Sequence, residues 1–257
     1  GEVFHPGYLA VFAAGGLATL AMSYVWFSLL AVDKSRRALS VMGTTCPNSG
    51  FIGYPVMLLS FPGIADVVLA LNVLVESTLL IPICLVLMDL AKPGAHKSIL
   101  IQMGAILWSV VKRPLILGLV AGLVVSALGI SMPTAVTRLF ELLAVSASAL
   151  SLVVIGGSLV GLPLRGNRLL AGQIAIGKLV LHPIMVGGAL VVLSGLGFAS
   201  LPADMAVAVV LSAAMPMFGI YTVFAQEHGL EGPASIAMLV TTSGAFFTLS
   251  ALLVWLT

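Results

Sequence analysis

Apolar residues occur along the chain in long runs that short polar segments separate. A helix that spans a bilayer needs about 20 mostly apolar residues. The runs predict an all-α polytopic membrane protein with spans at 8–31, 39–61, 66–90, 115–130, 139–162, 170–196, 203–225 and 234–256. The fourth run is short unless it borrows residues from 99–111, which alternatively form an interfacial helix.

Basic residues are unevenly distributed over the loops between the predicted spans. If every run crosses once, nine Lys and Arg residues fall on one side and Arg138 falls on the other. Cytoplasmic loops of membrane proteins carry such an excess of positive charge. We therefore predict that the basic loops are cytoplasmic and that both chain ends lie outside. The nine residues are Lys34, Arg36, Arg37, Lys92, Lys97, Lys112, Arg113, Arg165 and Arg168.

The composition supports a membrane protein and argues against other classes. Hydrophobic residues are 60% and charged residues 8% of the 257, whereas soluble domains carry about 25% charged residues. A net charge of +2 argues against a nucleic-acid-binding face, which needs clustered basic residues. Cys46 and Cys84 lie in apolar runs without metal-ligand spacing, so we expect them in the core. No cofactor or metal site is predicted.

Two of the predicted spans are poor as continuous helices. The second carries Pro47 and Pro55, with two glycines and an asparagine between them, and the seventh carries Pro216 and Gly219. Proline removes a backbone donor and clashes with the preceding helical turn. The pattern predicts that both helices break inside the membrane, although a simple kink is the alternative for each.

The two interruptions lie at matching places in the two halves of the chain. The second span enters from the predicted cytoplasmic side and the seventh from outside, which predicts an inverted repeat with two crossed broken helices. Unwound backbone is stable at membrane depth where it is buried in protein or lines a wet cavity. The N-terminus of each half-helix offers unpaired N–H groups that can bind a carboxylate.

The sequence at these interruptions resembles the signatures of the auxin efflux carrier family, which includes plant PIN-type carriers and bacterial malonate and malate permeases. The second interruption is nearer the bacterial permeases. The segments that carry the resemblance are 213–216 with 223–229, 47–50 with Gly53 and Pro55, 178–180 with Pro183, 112–115, and the small-residue run 143–159.

The resemblance implies a transporter fold of ten spans, arranged as two inverted sets of five. The eight predicted spans then correspond to spans three to ten of the family, and we expect the first two to precede Gly1. Residues 1–91 would be the remainder of the first repeat, 92–114 a cytoplasmic connector with an interfacial helix, and 115–257 the second repeat.

The two interruptions are the expected substrate site. Asn48 could donate to a carboxylate or cap a half-helix, and both roles stay open. Tyr54 and Tyr221 could contact substrate or pack against the broken helices. The substrate-binding candidates are Asn48, Ser49, Gly50, Gly53, Tyr54, Pro55, Asn72, Pro216, Met217, Gly219, Tyr221 and Thr222.

Three ionisable residues inside the predicted spans are candidates for charge or proton coupling: Glu76, Lys178 and His182. Ionisable side chains are costly in a membrane and usually functional. Lys178 could balance a substrate anion, hold the C-terminal end of a half-helix, or snorkel to the interface. Glu76 and His182 could exchange protons or be hydrogen-bonded packing residues. Arg138 and Glu141 are expected to form an interfacial ion pair.

The leading hypothesis is a secondary transporter that moves a small organic acid anion by alternating access around the crossed helices. The alternatives are a sodium-coupled symporter of a related ten-span, bile-acid-transporter-like fold and a membrane receptor that does not transport. An enzyme is disfavoured because HExxH and GxSxG motifs are absent from the sequence. The expected partners are the anion and the lipid of a bacterial inner membrane; protons and a second copy of the chain stay open.

Overall fold

The structure, a computed structural model, describes residues 5–30, 33–91, 104, 108, 112, 114–130, 132–158, 160–161 and 165–256. The predicted connector at 92–114 and its interfacial helix at 99–111 therefore lie mostly outside the described residues. The described helices are α1 Pro6–Leu30, α2 Lys34–Thr45, α3 Ser49–Ser60, α4 Ala65–Leu90, α5 Pro114–Ala127, α6 Thr134–Ser158, α7 Arg168–Gly195, α8 Ala203–Ala214, α9 Tyr221–Gln226 and α10 Glu231–Leu256.

Four of these helices, α1, α4, α7 and α10, are long and apolar enough to cross a membrane. The described residues contain no β-sheet, so the predicted all-α class is confirmed for this part of the chain. Each predicted run coincides with one helix or, at the two predicted interruptions, with a pair of shorter helices: α2 with α3, and α8 with α9.

The interruptions occur where prolines end a helix. A residue before proline is driven out of helical geometry into an extended one. Cys46, before Pro47, has φ −91° and ψ 109° at the end of α2. Met215, before Pro216, has φ −60° and ψ 148° at the end of α8. The two broken helices therefore have the same local cause, and each exposes an extended segment.

Prolines that lie inside a helix widen a turn instead of ending the helix. The π-helical turns Ser49–Gly53, Glu76–Leu80 and Gly177–Leu181 each end two residues before a proline, namely Pro55, Pro82 and Pro183. Widening by one residue relieves the clash between the proline ring and the preceding turn. Glu76 and Lys178 both lie on these widened turns.

The buried apolar side chains form two layers, one on either side of the interruptions. The Tyr8 layer includes Tyr8, Phe12, Met57, Val186, Met215 and Leu249. The Phe27 layer includes Phe27, Leu39, Cys84, Ile174, Tyr221 and Met238. The broken segments and the polar residues around them lie where the two layers meet.

The order in which each helix passes through the layers gives its direction. Helices α1 and α4 contribute first to the Tyr8 layer and then to the Phe27 layer, whereas the broken pair α2 and α3 runs the opposite way. In the second half, α7 and α10 run from the Phe27 layer to the Tyr8 layer, and the pair α8 and α9 runs back. Helices α1, α4 and the pair α8 and α9 therefore run in one direction through the layers, and α7, α10 and the pair α2 and α3 run in the other.

Candidate functional site

The extended segments of the two broken helices cross and pair with each other. The backbone N–H of Asn48 donates to the carbonyl oxygen of Pro216 at 2.8 Å, and that of Phe218 donates to Cys46 at 3.2 Å. Pro47 and Met217 thereby form an antiparallel bridge. Each segment satisfies part of the backbone that the other leaves open, as the interior of a membrane protein requires. We call residues 46–48 and 215–218 the crossing.

The side-chain oxygen and nitrogen of Asn48 differ in their hydrogen bonding. Its side-chain oxygen accepts a hydrogen bond from the Phe51 N–H at 3.1 Å and so caps α3. Its side-chain nitrogen is buried and meets no acceptor among the described residues. A buried donor without an acceptor costs about 1–3 kcal/mol, so this amide is well suited to a ligand oxygen.

Other unpaired polar groups lie in the helices that meet at the crossing. The hydroxyls of Thr44 and Thr45, in the last turn of α2, are buried and have no hydrogen-bond partner among the described residues. The hydroxyl of Tyr221, at the start of α9, is in the same state and packs against Gly43. These three hydroxyls and the Asn48 nitrogen are four buried polar groups near the crossing that have no hydrogen-bond partner among the described residues. Such a cluster is unusual, because most buried polar groups in proteins are hydrogen-bonded.

Lys178 is completely buried on the widened turn of α7. Its ammonium group donates to the carbonyl oxygen of Ala213 at 3.1 Å and lies 2.5 Å from Nδ1 of His182. Ala213 is in the last turn of α8, so the positive charge sits at the negative end of a helix dipole. The buried position and this contact argue against snorkelling.

Glu76 is buried on the widened turn of α4, and the hydroxyl of Ser49 donates to its Oε1. Ser49 is the first residue of α3, so this bond ties a buried carboxyl group directly to one of the broken helices. One carboxyl and one ammonium group thus flank the crossing from different halves of the chain.

A separate polar cluster, formed by Tyr8, Asn72 and Ser212, joins α1, α4 and α8. The Tyr8 hydroxyl donates to Oδ1 of Asn72 at 2.9 Å and lies 3.2 Å from the hydroxyl of Ser212. Nδ2 of Asn72 donates to the same Ser212 oxygen at 2.8 Å. All three residues are buried. This closed network fixes α8 to two helices of the first half. The point of attachment is Ser212, two residues before the end of α8 at Ala214.

Comparison with known sequences decides the class of protein. The sequence pattern of a family described as "Membrane transport protein" matches residues 7–255, nearly the whole chain. The chain belongs to this membrane transport protein family. A protein of Rhizobium meliloti (strain 1021), named "Putative malonate transporter", is 29% identical over 246 residues, which cover 92% of this chain and 75% of the relative.

Membership of the membrane transport protein family confirms the resemblance that the motifs indicated. It makes the chain a transporter rather than an enzyme, and it agrees with the long apolar helices. The close packing of two long helices explains why a glycine stands at position 15. A Cβ at Gly15 of α1 would lie 2.5 Å from the backbone of Val186 in α7, so these helices pack backbone to backbone.

The structure places ten of the predicted substrate-binding residues of this family member at or near the crossing. Asn48, Pro216 and Met217 lie at the crossing, Ser49 follows it as the first residue of α3, and Gly53 packs beside Met215. Gly50 and Gly219 border open space, since a Cβ at either would meet nothing within 4 Å. Pro55 and Tyr221 are buried and Thr222 is half-buried.

Tyr54 and Asn72 have side-chain partners away from the crossing backbone. The Tyr54 hydroxyl donates to Oδ1 of Asp66 at 2.6 Å, on the exposed side of α4. Asn72 belongs to the cluster with Tyr8. Both remain substrate-binding candidates, but their polar groups are already used by the protein.

Sequence reasoning missed several polar residues of the site. Tyr8, Ser212, Thr44 and Thr45 are small or amphipathic residues within apolar runs, where a hydroxyl bonded to its own helix is common in membranes. The sequence offered one indication for three of them: Ser212, Thr44 and Thr45 lie just before the prolines that end α8 and α2.

Two expectations about other residues can be compared with the structure directly. Cys46 and Cys84 are both buried, as expected of core residues, with their sulfur atoms 3.9 Å apart. Arg138 and Glu141 form the expected ion pair at 3.1 Å, and both side chains are exposed. No group of three or more His, Cys, Asp or Glu side chains is placed to hold a metal ion in the part of the chain that the structure describes.

Proposed function

We propose that this chain is a secondary transporter that moves a small organic acid anion by alternating access around the crossing. The observation that carries the proposal is the buried, unpaired side-chain amide of Asn48 beside the paired backbones of the broken helices. A transport site needs hydrogen-bonding groups that the protein itself leaves unused. The crossing has such groups, and they come from both halves of the chain.

The electrostatics of the crossing favour an anion. The N-termini of α3 and α9 point their partial positive charge toward the crossing. Lys178 adds an amino group that is cationic when protonated, and Glu76 is the one acidic group that we identify at the site. A mono- or dicarboxylate is the class of substrate that fits these donors, and the name of the Rhizobium meliloti relative suggests malonate as the first compound to test.

The proposed mechanism uses an inverted repeat. The antiparallel course of corresponding helices through the two apolar layers supports this symmetry. In such transporters one repeat or bundle rocks against the other around a fixed central site. We propose eight spans in this chain, corresponding to spans three to ten of a ten-span fold, with domains at 1–91 and 115–257 joined by 92–114.

Coupling to protons is the part of the proposal that rests on Glu76, Lys178 and His182. Glu76 contacts α3 through Ser49, and Lys178 contacts the end of α8 through Ala213. A change of protonation at either residue would therefore alter a bond to a broken helix. This gives protons a direct means of influencing the helices that hold the substrate.

The proposed setting is a bacterial inner membrane with both chain ends outside, as the distribution of basic residues predicts. The crossing is formed within one chain, so the proposed substrate site does not depend on whether the protein is a homodimer. Neither the setting nor the assembly is needed for the substrate site itself.

The experiment that tests the proposal is uptake by the full-length protein in proteoliposomes. Radiolabelled malonate, malate, succinate and indole-3-acetate are offered outside, with protein-free liposomes as the control. We expect saturable uptake of at least one of these acids and competition by its unlabelled form. Replacing external sodium with potassium separates a sodium-coupled symporter. Binding without flux would indicate a receptor, and the absence of flux for all four acids contradicts the proposal.

A further inference from the structure

A small cavity lies far from the crossing, where the end of α1, the start of α2 and the end of α4 meet. Its volume is about 170 Å³. Two cations, Lys34 and Arg37, form its polar wall, and Leu87 and Leu90 of α4 form part of its apolar wall. The cavity lies at the end of these helices that the distribution of basic residues predicts to be cytoplasmic.

The cations of this cavity are not neutralised by carboxylates among the described residues. Arg36, their neighbour, is paired with Asp33 at 3.2 Å, but Lys34 and Arg37 form no such pair in the part of the chain that is described. Asp89 lies on the same turns of α4 but not in the cavity wall. Within the described part of the chain, two positive charges therefore share one small space without a carboxylate paired to either.

Arg37 is held in position by contacts that leave its charge available. Its guanidinium group lies 4.8 Å from the ring centroid of Tyr24 and donates to the Ser28 hydroxyl at 3.4 Å. Both partners belong to the last turns of α1. An arginine held in this way can present its remaining N–H groups to a phosphate in a bidentate manner.

The surface beside the cavity is apolar and faces outward. On α1, Val25 is 57% and Leu29 82% exposed, and on α4 Leu90 is 40% exposed. A ligand bound at the cations would thus have hydrocarbon surface directly next to it. This combination suits a molecule with an anionic head and long apolar chains better than a small soluble anion.

We propose that this cavity binds the phosphate group of an anionic phospholipid. Basic pockets between transmembrane helices at the cytoplasmic side are a recognised mode of lipid recognition. Lys34 and Arg37 contact the phosphate, and the acyl chains lie along the exposed residues of α1 and α4. The Arg36 N–H is not available to the phosphate, because the side chain of Asp33 already accepts it at 2.8 Å.

Lipid at this position would bear directly on one of the broken helices. Helix α2 begins at Lys34 beside the cavity and ends at Thr45 beside the crossing. A phospholipid that holds Lys34 and Arg37 fixes the cytoplasmic end of this half-helix to the surrounding bilayer. The lipid site and the substrate site are separate, so the first can be tested without assuming the second.

The test counts lipids bound to the purified full-length protein. The protein in detergent is titrated with phosphatidylglycerol or with phosphatidylcholine of the same chains, and bound lipid is measured by native mass spectrometry. We expect a preference for phosphatidylglycerol in the wild type. Each basic residue near a membrane surface changes affinity roughly fivefold, so the K34Q/R37Q variant should bind roughly 25-fold more weakly.

The matched control is R165Q/R168Q, which removes the same charge from exposed residues on the same predicted side. It should keep the affinity of the wild type within roughly a factor of five. An equal loss in both double variants, or no lipid preference in the wild type, overturns the proposal. Competition by millimolar inorganic phosphate would show a site for the free anion instead. If K34Q/R37Q does not fold, R37Q alone should lose affinity roughly fivefold.

Discussion

The backbone of Asn48 donates to the carbonyl oxygen of Pro216 at 2.8 Å, while the side-chain nitrogen of Asn48 is buried without an acceptor. The same residue thus fixes the crossing and leaves one strong donor unused there. Its side-chain oxygen is already occupied by the Phe51 N–H. The capping role and a substrate-binding role are therefore carried by different atoms, and a single substitution can separate them.

We predict that Asn48→Asp impairs transport without unfolding the protein. Aspartate caps a helix as well as asparagine does, so the bond to Phe51 survives. The free donor becomes a carboxylate oxygen, which repels an anionic substrate. The expected result is a rise in KM of roughly 10- to 100-fold, equivalent to about 1.4–2.8 kcal/mol, measured as substrate uptake in proteoliposomes.

Asn167→Asp is the matched control for this change. Asn167 caps α7 through the Leu170 N–H at 3.0 Å, nearly the same geometry, but it is exposed. This variant should transport like the wild type. If Asn48→Asp also keeps the wild-type KM, Asn48 acts as a cap and not as a substrate ligand.

We predict that Lys178→Met lowers uptake by roughly 10- to 100-fold, because hydrogen bonds from charged donors contribute about 1.5–3 kcal/mol. The substitution leaves the Ala213 carbonyl and the His182 ring without the ammonium group. Lys112→Met is the control, as Lys112 is exposed above the Trp108 ring. Equal uptake by the two variants would exclude a functional charge at Lys178.

We predict that Glu76→Gln removes the response of transport to a pH gradient. Glutamine can still accept the hydrogen bond from Ser49 but cannot bind and release a proton. Gradient-driven uptake should fall, while exchange of labelled for unlabelled substrate at equal pH should continue. Glu141→Gln, which changes only the exposed pair with Arg138, should respond normally. A full response in Glu76→Gln would mean that Glu76 is a packing residue.

We predict that Gly15→Ala destabilises the protein. The added Cβ would lie 2.5 Å from Cα of Val186, so α1 and α7 would have to separate. Overpacking of this kind costs about 1–3 kcal/mol. Gly188→Ala, also in a helix, has nothing within 4 Å of the new Cβ and should leave the melting temperature unchanged or slightly higher. Thermal unfolding in detergent, followed by fluorescence, distinguishes the two. Equal melting temperatures would show that α1 and α7 have room to adjust.

The sequence predicted the helices and their breaks because both depend on local chemistry. Apolar run length sets the spans, and Pro47 and Pro216 each force the preceding residue out of helical geometry. The predicted second span began at 39 and the helix begins at Lys34, because Asp33 caps it among polar residues that a hydropathy pattern does not count.

The contacts within the site depend on distant parts of the chain, and the sequence could not predict them. Asn72 bonds to Ser212 across 140 positions, and the Tyr8 hydroxyl lies near the same residue across 204. Nothing in the neighbourhood of Tyr8 distinguishes a cluster member from an interfacial tyrosine. For Lys178 the sequence left three roles open, and the contact with Ala213 favours the end of a half-helix.

The crossing can form only after most of the protein has been synthesised. Cys46 and Asn48 need Phe218 and Pro216 as hydrogen-bond partners, and the ribosome makes these about 170 residues later. At synthesis rates of about 5–20 residues per second, the first broken helix waits roughly 10 to 30 seconds for them. During that interval its open backbone must be shielded by water, by the insertion machinery or by other segments, since lipid offers no hydrogen bonds. The first half of this chain is therefore dependent on the second for its completion.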